Sequence, residues 1–106
     1  MNKWSEVNKF IYNSLVPVFG RGINLTIIPN IQINEASGLA ASRLHPGVLY
    51  THNDSGDRAR IFAVDSESGE TLAEYDVARP GANHDWEDMA VGVCPSQSGS
   101  CIYIGE

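Results

Sequence analysis

From Ile23 onward the chain alternates short apolar and β-branched runs with clusters of turn-forming residues. Residues 37–42 (SGLAAS), 48–52 (VLYTH), 60–65 (RIFAVD) and 71–77 (TLAEYDV) are such runs. Leu44-His45-Pro46-Gly47, Asn53-Asp54-Ser55-Gly56-Asp57 and Ser66-Glu67-Ser68-Gly69 separate them. Four short strands with turn chemistry between them, and no helix-length pattern, predict an all-β antiparallel meander. Residues 24–33 are also β-branched, but Pro29 and Asn30 divide them, which predicts an edge strand or two short pieces. Upstream the period changes. Trp4, Val7, Phe10, Ile11 and Leu15 recur at three- and four-residue spacing, predicting a short amphipathic helix within residues 1–22 that ends at Pro17 and Gly20. The same residues also have the order of a poor signal peptide: Lys3 and Lys9, then an apolar stretch broken by Asn13, Ser14 and Pro17.

The pattern then repeats. Glu35-Ala36-Ser37-Gly38-Leu39-Ala40 has a counterpart in Asp85-Trp86-Glu87-Asp88-Met89-Ala90, 50 positions later. Leu49-Tyr50-Thr51 aligns with Ile102-Tyr103-Ile104 after a loop longer by three residues. A period near 50 with four strands per unit is the footprint of a β-propeller blade. Residues 23–106 therefore read as a partial propeller, with a first blade at about 35–78 and a second from 85 that stops inside a strand. Since at least four blades are needed to close a propeller, the chain reads as a fragment whose remaining blades are its nearest partners.

A net charge of -6 disfavours nucleic acid and anionic membranes, which attract basic surfaces. No apolar run approaches the roughly 20 residues of a membrane span. Acidic surfaces suit cations, and Ca²⁺ prefers carboxylate and carbonyl oxygens. Cys94 and Cys101 flank a Pro/Ser/Gly turn, and a hairpin disulfide there would contribute about 2–3 kcal/mol in the chain-entropy model. Two free thiols are the alternative. Disulfides persist in oxidising compartments, so the expected location is secreted or extracellular. Asn24-Leu25-Thr26 is an N-glycosylation sequon, which has meaning in a secreted eukaryotic chain.

Glu35-Ala-Ser-Gly-Leu-Ala, Pro46-Gly-Val-Leu-Tyr-Thr-His-Asn-Asp-Ser-Gly, Ile61-Phe-Ala-Val-Asp, Asp85-Trp-Glu-Asp-Met-Ala-Val-Gly and Ile102-Tyr-Ile-Gly-Glu together resemble a group of secreted β-propellers. That group is related in pattern to phytase-like and esterase-like propellers, and the resemblance spans residues 35–106. In phytase-like propellers, acidic residues at the starts of blade strands line one end of the central channel and hold Ca²⁺. Carried over by position, the resemblance implies metal ligands at Glu35, Asp54, Asp85, Glu87 and Asp88. Equivalent positions of successive blades converge on the axis, so Glu35 and Asp85 would share one oxygen-rich mouth.

Each candidate has a plainer reading. His52-Asn53-Asp54-Ser55-Gly56 reads equally as a turn in which Asn53 and Asp54 bond their own backbone. Asp85-Trp86-Glu87-Asp88 packs three carboxylates into four residues, an arrangement that needs a cation or an arginine to offset repulsion. His84 beside Asp85 is a candidate acid/base pair, or simply solvated. Trp86 and Met89 read as core residues between blades. No nucleophile-elbow, Walker or dinucleotide-binding glycine pattern is present. A phytase grips phosphate with lysines and arginines, and Arg58 and Arg60 are the only nearby candidates for that work. The expected function is therefore a non-enzymatic, calcium-associated extracellular protein that binds partners, the extracellular matrix or a calcium-rich surface. The alternative is a calcium-dependent phytase-like or esterase-like hydrolase, which requires cationic groups opposite its metal.

Overall fold

The structure, a computed structural model, describes residues 17–77 and 83–106. Of the helix predicted within residues 1–22, the part up to residue 16 lies outside the described residues, and residues 17–22, which hold Pro17 and two glycines, are irregular chain and not helix. Everything described is strand, turn or irregular chain: β1 (Ala36–Ala41), β2 (Val48–Asn53), β3 (Arg60–Asp65), β4 (Thr71–Asp76), β5 (Met89–Val93) and β6 (Ser100–Ile104). The first four form one antiparallel sheet in the order β1-β2-β3-β4, and β5 and β6 form a separate hairpin. The four strands predicted for the meander are each present to within a residue at either end.

Turn chemistry sets these boundaries. Asp65 ends β3 and its Oδ1 accepts hydrogen bonds from the amides of Glu67 and Ser68 and from the Ser68 hydroxyl. These bonds hold the Asp65 carboxyl below its ordinary value, the Ser68 amide contributing most. Gly69 completes the turn at φ 76°, a left-handed conformation that a side chain would strain. It also lets the backbone of Ile27 approach so closely that a Cβ at position 69 would lie 2.3 Å from the Ile27 carbonyl oxygen.

Residues 24–33 are a correction to the sequence reading. They form no strand. Pro29 brings no amide donor, and Asn30 bends the chain into a turn closed by the bond from the Ile33 amide to the Asn30 carbonyl. The segment instead crosses the face of the first sheet that carries Leu39, Leu49 and Val64, against which Ile23, Leu25 and Ile28 line a shallow apolar groove. The core lies in β3, where Ile61, Phe62, Ala63 and Val64 are all buried. The guanidinium of Arg60 sits 4.7 Å above the Phe62 ring. Edge strand β4 is exposed, with Leu72 and Tyr75 facing solvent.

The second hairpin repeats the first in its pairing. Leu39 faces Thr51, Ala40 faces Tyr50 and Ala41 faces Leu49 across β1 and β2. Met89 faces Ile104, Ala90 faces Tyr103 and Val91 faces Ile102 across β5 and β6. These are the pairs that the offsets of 50 and 53 residues demand. The two units also touch at that offset, because the Ser37 hydroxyl donates to the Glu87 carbonyl at 2.7 Å.

The close packing of β1 on β5 depends on Gly38. A Cβ there would meet His52 Nε2 at 2.6 Å, Met89 Cγ at 2.9 Å and the Met89 amide nitrogen at 3.0 Å. Part of the obstacle is backbone, so a side chain at this position forces the units apart. Gly38→Ala is expected to cost about 1–3 kcal/mol as an overpacking change. In urea denaturation the midpoint should fall with an unchanged m-value, and an unshifted midpoint would refute this account of the contact.

Candidate metal centre

Three of the five proposed ligands come together. Carboxylate oxygens of Asp54, Asp85 and Glu87 lie within 4.8 Å of one another, Asp54 half-buried and the other two exposed. Asp54 follows β2 in the first sheet, whereas Asp85 and Glu87 precede β5. Two stretches of chain some thirty residues apart therefore build the cluster. Glu35 and Asp88 stand outside it. Glu35 lines a neighbouring cleft, and Asp88 Oδ1 accepts from the Met89 amide at 2.8 Å.

Asn83 holds the two stretches together. It is 5% exposed, and its Nδ2 donates to the carbonyls of Asn53 and Asp54 while its Oδ1 accepts from the Trp86 amide at 2.9 Å. One amide thus fixes the chain on either side of the acidic cluster. Asp85 sits between Asn83 and Trp86 at φ 67°, the left-handed region. Among the described residues it is the only one other than glycine with a positive φ. Aspartate tolerates this conformation better than most residues, yet it still costs on the order of 1 kcal/mol, offset here by the bonds of Asn83. Trp86 then turns inward, its ring 5.4 Å from that of His52 in an edge-on contact.

The segment His52-Asn53 is not the turn that its composition implied. Asn53 is the last residue of β2 and is 2% exposed. Its Oδ1 accepts from the Glu35 amide, and its Nδ2 donates to the Gln32 carbonyl and to Asp57 Oδ2. His52 is fully buried, and its Nδ1 donates to the Asn53 carbonyl at 2.9 Å. Asp54 does bond locally, its Oδ1 accepting from the Ser55 amide. His84 is exposed.

Beside the cluster lies a polar cleft of about 490 Å³, lined in part by Glu35, Asn53, Asp57, Arg58 and Arg60. Both arginines are engaged. Arg60 Nε binds Asp57 at 2.9 Å and its Nη1 binds Glu74 at 3.1 Å and Gln32 at 3.0 Å. Arg58 binds Glu74 and Asp76. Among the described residues these are the four ion pairs, and none involves Asp54, Asp85 or Glu87. Cys94 and Cys101 form a disulfide with Cα atoms 5.1 Å apart, at the far end of the second hairpin. Asn24 is exposed. Among the described residues no helix is long and apolar enough to cross a membrane.

No protein-family model, curated protein or solved structure matches the chain.

Two predictions follow from these bonds. Asn83→Ala leaves two carbonyls and the Trp86 amide without their partner, at a cost of about 1–3 kcal/mol. Hydrogen exchange at the Trp86 amide should accelerate far more than exchange in β3, and uniform acceleration would show that Asn83 has no local role. The second concerns acid. Burial opposes the charged form of Asp57, but hydrogen bonds from Arg60, Asn53 and the Arg58 amide outweigh it and hold its carboxyl below the ordinary value of 3.8. A depressed folded-state value stabilises the protein fully above the ordinary value, and that stabilisation is lost as pH falls through the folded value. Stability should therefore decline below about pH 4, with Asp57→Asn less stable at neutral pH and flatter in acid. An equal acid slope in the two proteins would remove Asp57 from the explanation.

Proposed function

We propose that the chain is part of a non-enzymatic, extracellular β-propeller protein that holds Ca²⁺ between Asp54, Asp85 and Glu87 and uses it in binding partners or matrix. The convergence of those three carboxylates carries the reading. Three like charges this close repel one another unless a cation balances them, and Ca²⁺ accepts several carboxylate oxygens in loose geometry. The repeated hairpin register supports the blade assignment, since successive blades share one strand pattern. The disulfide fits an oxidising compartment.

The charge arrangement favours binding over hydrolysis. A phosphoester or carboxyl-ester hydrolase needs cationic groups aimed at the charge that develops in its transition state. Arg58 and Arg60 spend their guanidinium groups on Asp57, Glu74 and Asp76 instead.

Calorimetry on the full chain tests the metal. At about a hundredfold excess over its Kd, Ca²⁺ should stabilise the protein by roughly 2.7 kcal/mol and raise its Tm. The Asp85→Asn/Glu87→Gln double variant should lose that response, and an indifferent wild-type protein would end the calcium reading. Phytate and a chromogenic ester, assayed with and without calcium, test the alternative. Turnover that disappears in the double variant would make the protein a hydrolase.

A further inference from the structure

The described part of the amino-terminal region, outside the acidic cluster, contains one basic residue before β1, Arg21, in exposed irregular chain. Endopeptidases of the trypsin class bind about eight residues of substrate in extended form, pairing with the backbone as an added strand, and seat an arginine in an acidic pocket. A segment meets that demand at no folding cost only if its backbone is exposed, extended and unpaired.

Residues 17–27 are all exposed and belong to no helix, strand or turn. Among the described residues, none of 17–29 makes a backbone–backbone hydrogen bond. Arg21 lies in this stretch between Gly20 and Gly22, and no atom approaches within 4 Å of the place where a Cβ would stand on either glycine. A protease strand therefore has open space on both sides of the bond.

The other described arginines do not combine all of these features, although Arg43 and Arg58 are also exposed. Arg43 lies in the β1–β2 connection, bent by bonds from the His45 amide to the Ser42 hydroxyl and from the Val48 amide to the His45 carbonyl. Arg58 and Arg60 are held in ion pairs, and Arg60 begins the buried strand β3. Arg79 precedes Pro80, whose ring removes the amide hydrogen a protease would engage. Both lysines, Lys3 and Lys9, precede Arg21 in the sequence.

We propose that the Arg21–Gly22 bond is a site of limited proteolysis by an arginine-specific endopeptidase. Water adds across the bond, leaving a carboxylate on Arg21 and an ammonium group on Gly22. The product that begins at Gly22 keeps both hairpins, the disulfide and the Ile23–Ile28 contacts on the first sheet.

Full-length protein treated with dilute trypsin and followed by intact-mass spectrometry tests this. Cleavage after Arg21 should run roughly tenfold or more faster than cleavage after Arg43, Arg58 or Arg60, because those bonds require opening and this one does not. The fragment 22–106 should accumulate, retain its disulfide and keep a cooperative thermal transition. Arg21→Gln should abolish that fragment, and Arg43→Gln should leave its formation unchanged. A first cut after Arg43, Arg58 or Arg60, comparable rates at several arginines, or a 22–106 fragment degraded as fast as it forms would each overturn the proposal.

Discussion

The side-chain amide of Asn53, buried where β2 ends, joins stretches of chain before β1, between β2 and β3, and within its own sheet. It accepts from Glu35, which fixes the entry into β1, and it donates to Gln32 and Asp57. Asp57 in turn binds Arg60, whose guanidinium covers Phe62 in the core. The Asn53 carbonyl receives Asn83, and through Asn83 the loop that carries Asp85. Few alternatives satisfy so many buried polar groups at once, and a buried group left without a partner costs about 1–3 kcal/mol. The position of the acidic cluster is therefore inherited from the packing of the first sheet.

Charge is distributed unevenly as a result. Glu74 and Asp76 lie on the edge strand β4, and Arg58 and Arg60 neutralise them there while also discouraging a further strand from pairing. All four ion pairs among the described residues gather on this side of the first sheet. Asp54, Asp85 and Glu87 lie at the junction of the two units, with no arginine among the described ion pairs to offset them.

The strands were legible because turn residues punctuate them and their apolar runs are short. The repeat was legible because the offset of 50 residues preserves both chemistry and register, down to Met89 standing where Leu39 stands. Legibility failed where a residue's partner is distant in sequence. Asn83 sits in an Arg-Pro-Gly-Ala-Asn stretch that reads as linker, and nothing local marks its bond to a carbonyl thirty residues earlier. Asn53 reads as a turn former for the same reason. Residues 24–33 have the side chains of a strand, but they cross the face of the first sheet instead of lying along one of its edges, and β-propensity does not determine which. Of the acidic candidates, Asp54, Asp85 and Glu87 converge, while the spacing alone could not separate them from Glu35 and Asp88.

Met89 packs against Gly38, and so the face of the second hairpin that corresponds to the Leu39 face of the first sheet lies on that sheet's opposite side. The two units are thus stacked in the same sense, front to back, rather than related by a two-fold axis. A two-fold contact consumes both complementary surfaces in a single event. A front-to-back contact always leaves one unused front and one unused back, and it ends only when rotation brings the last back onto the first front or when something unlike the repeat covers the front. In this chain the front is the apolar groove of Leu39, Leu49 and Val64, and what crosses it is the irregular segment from Ile23 to Ile28.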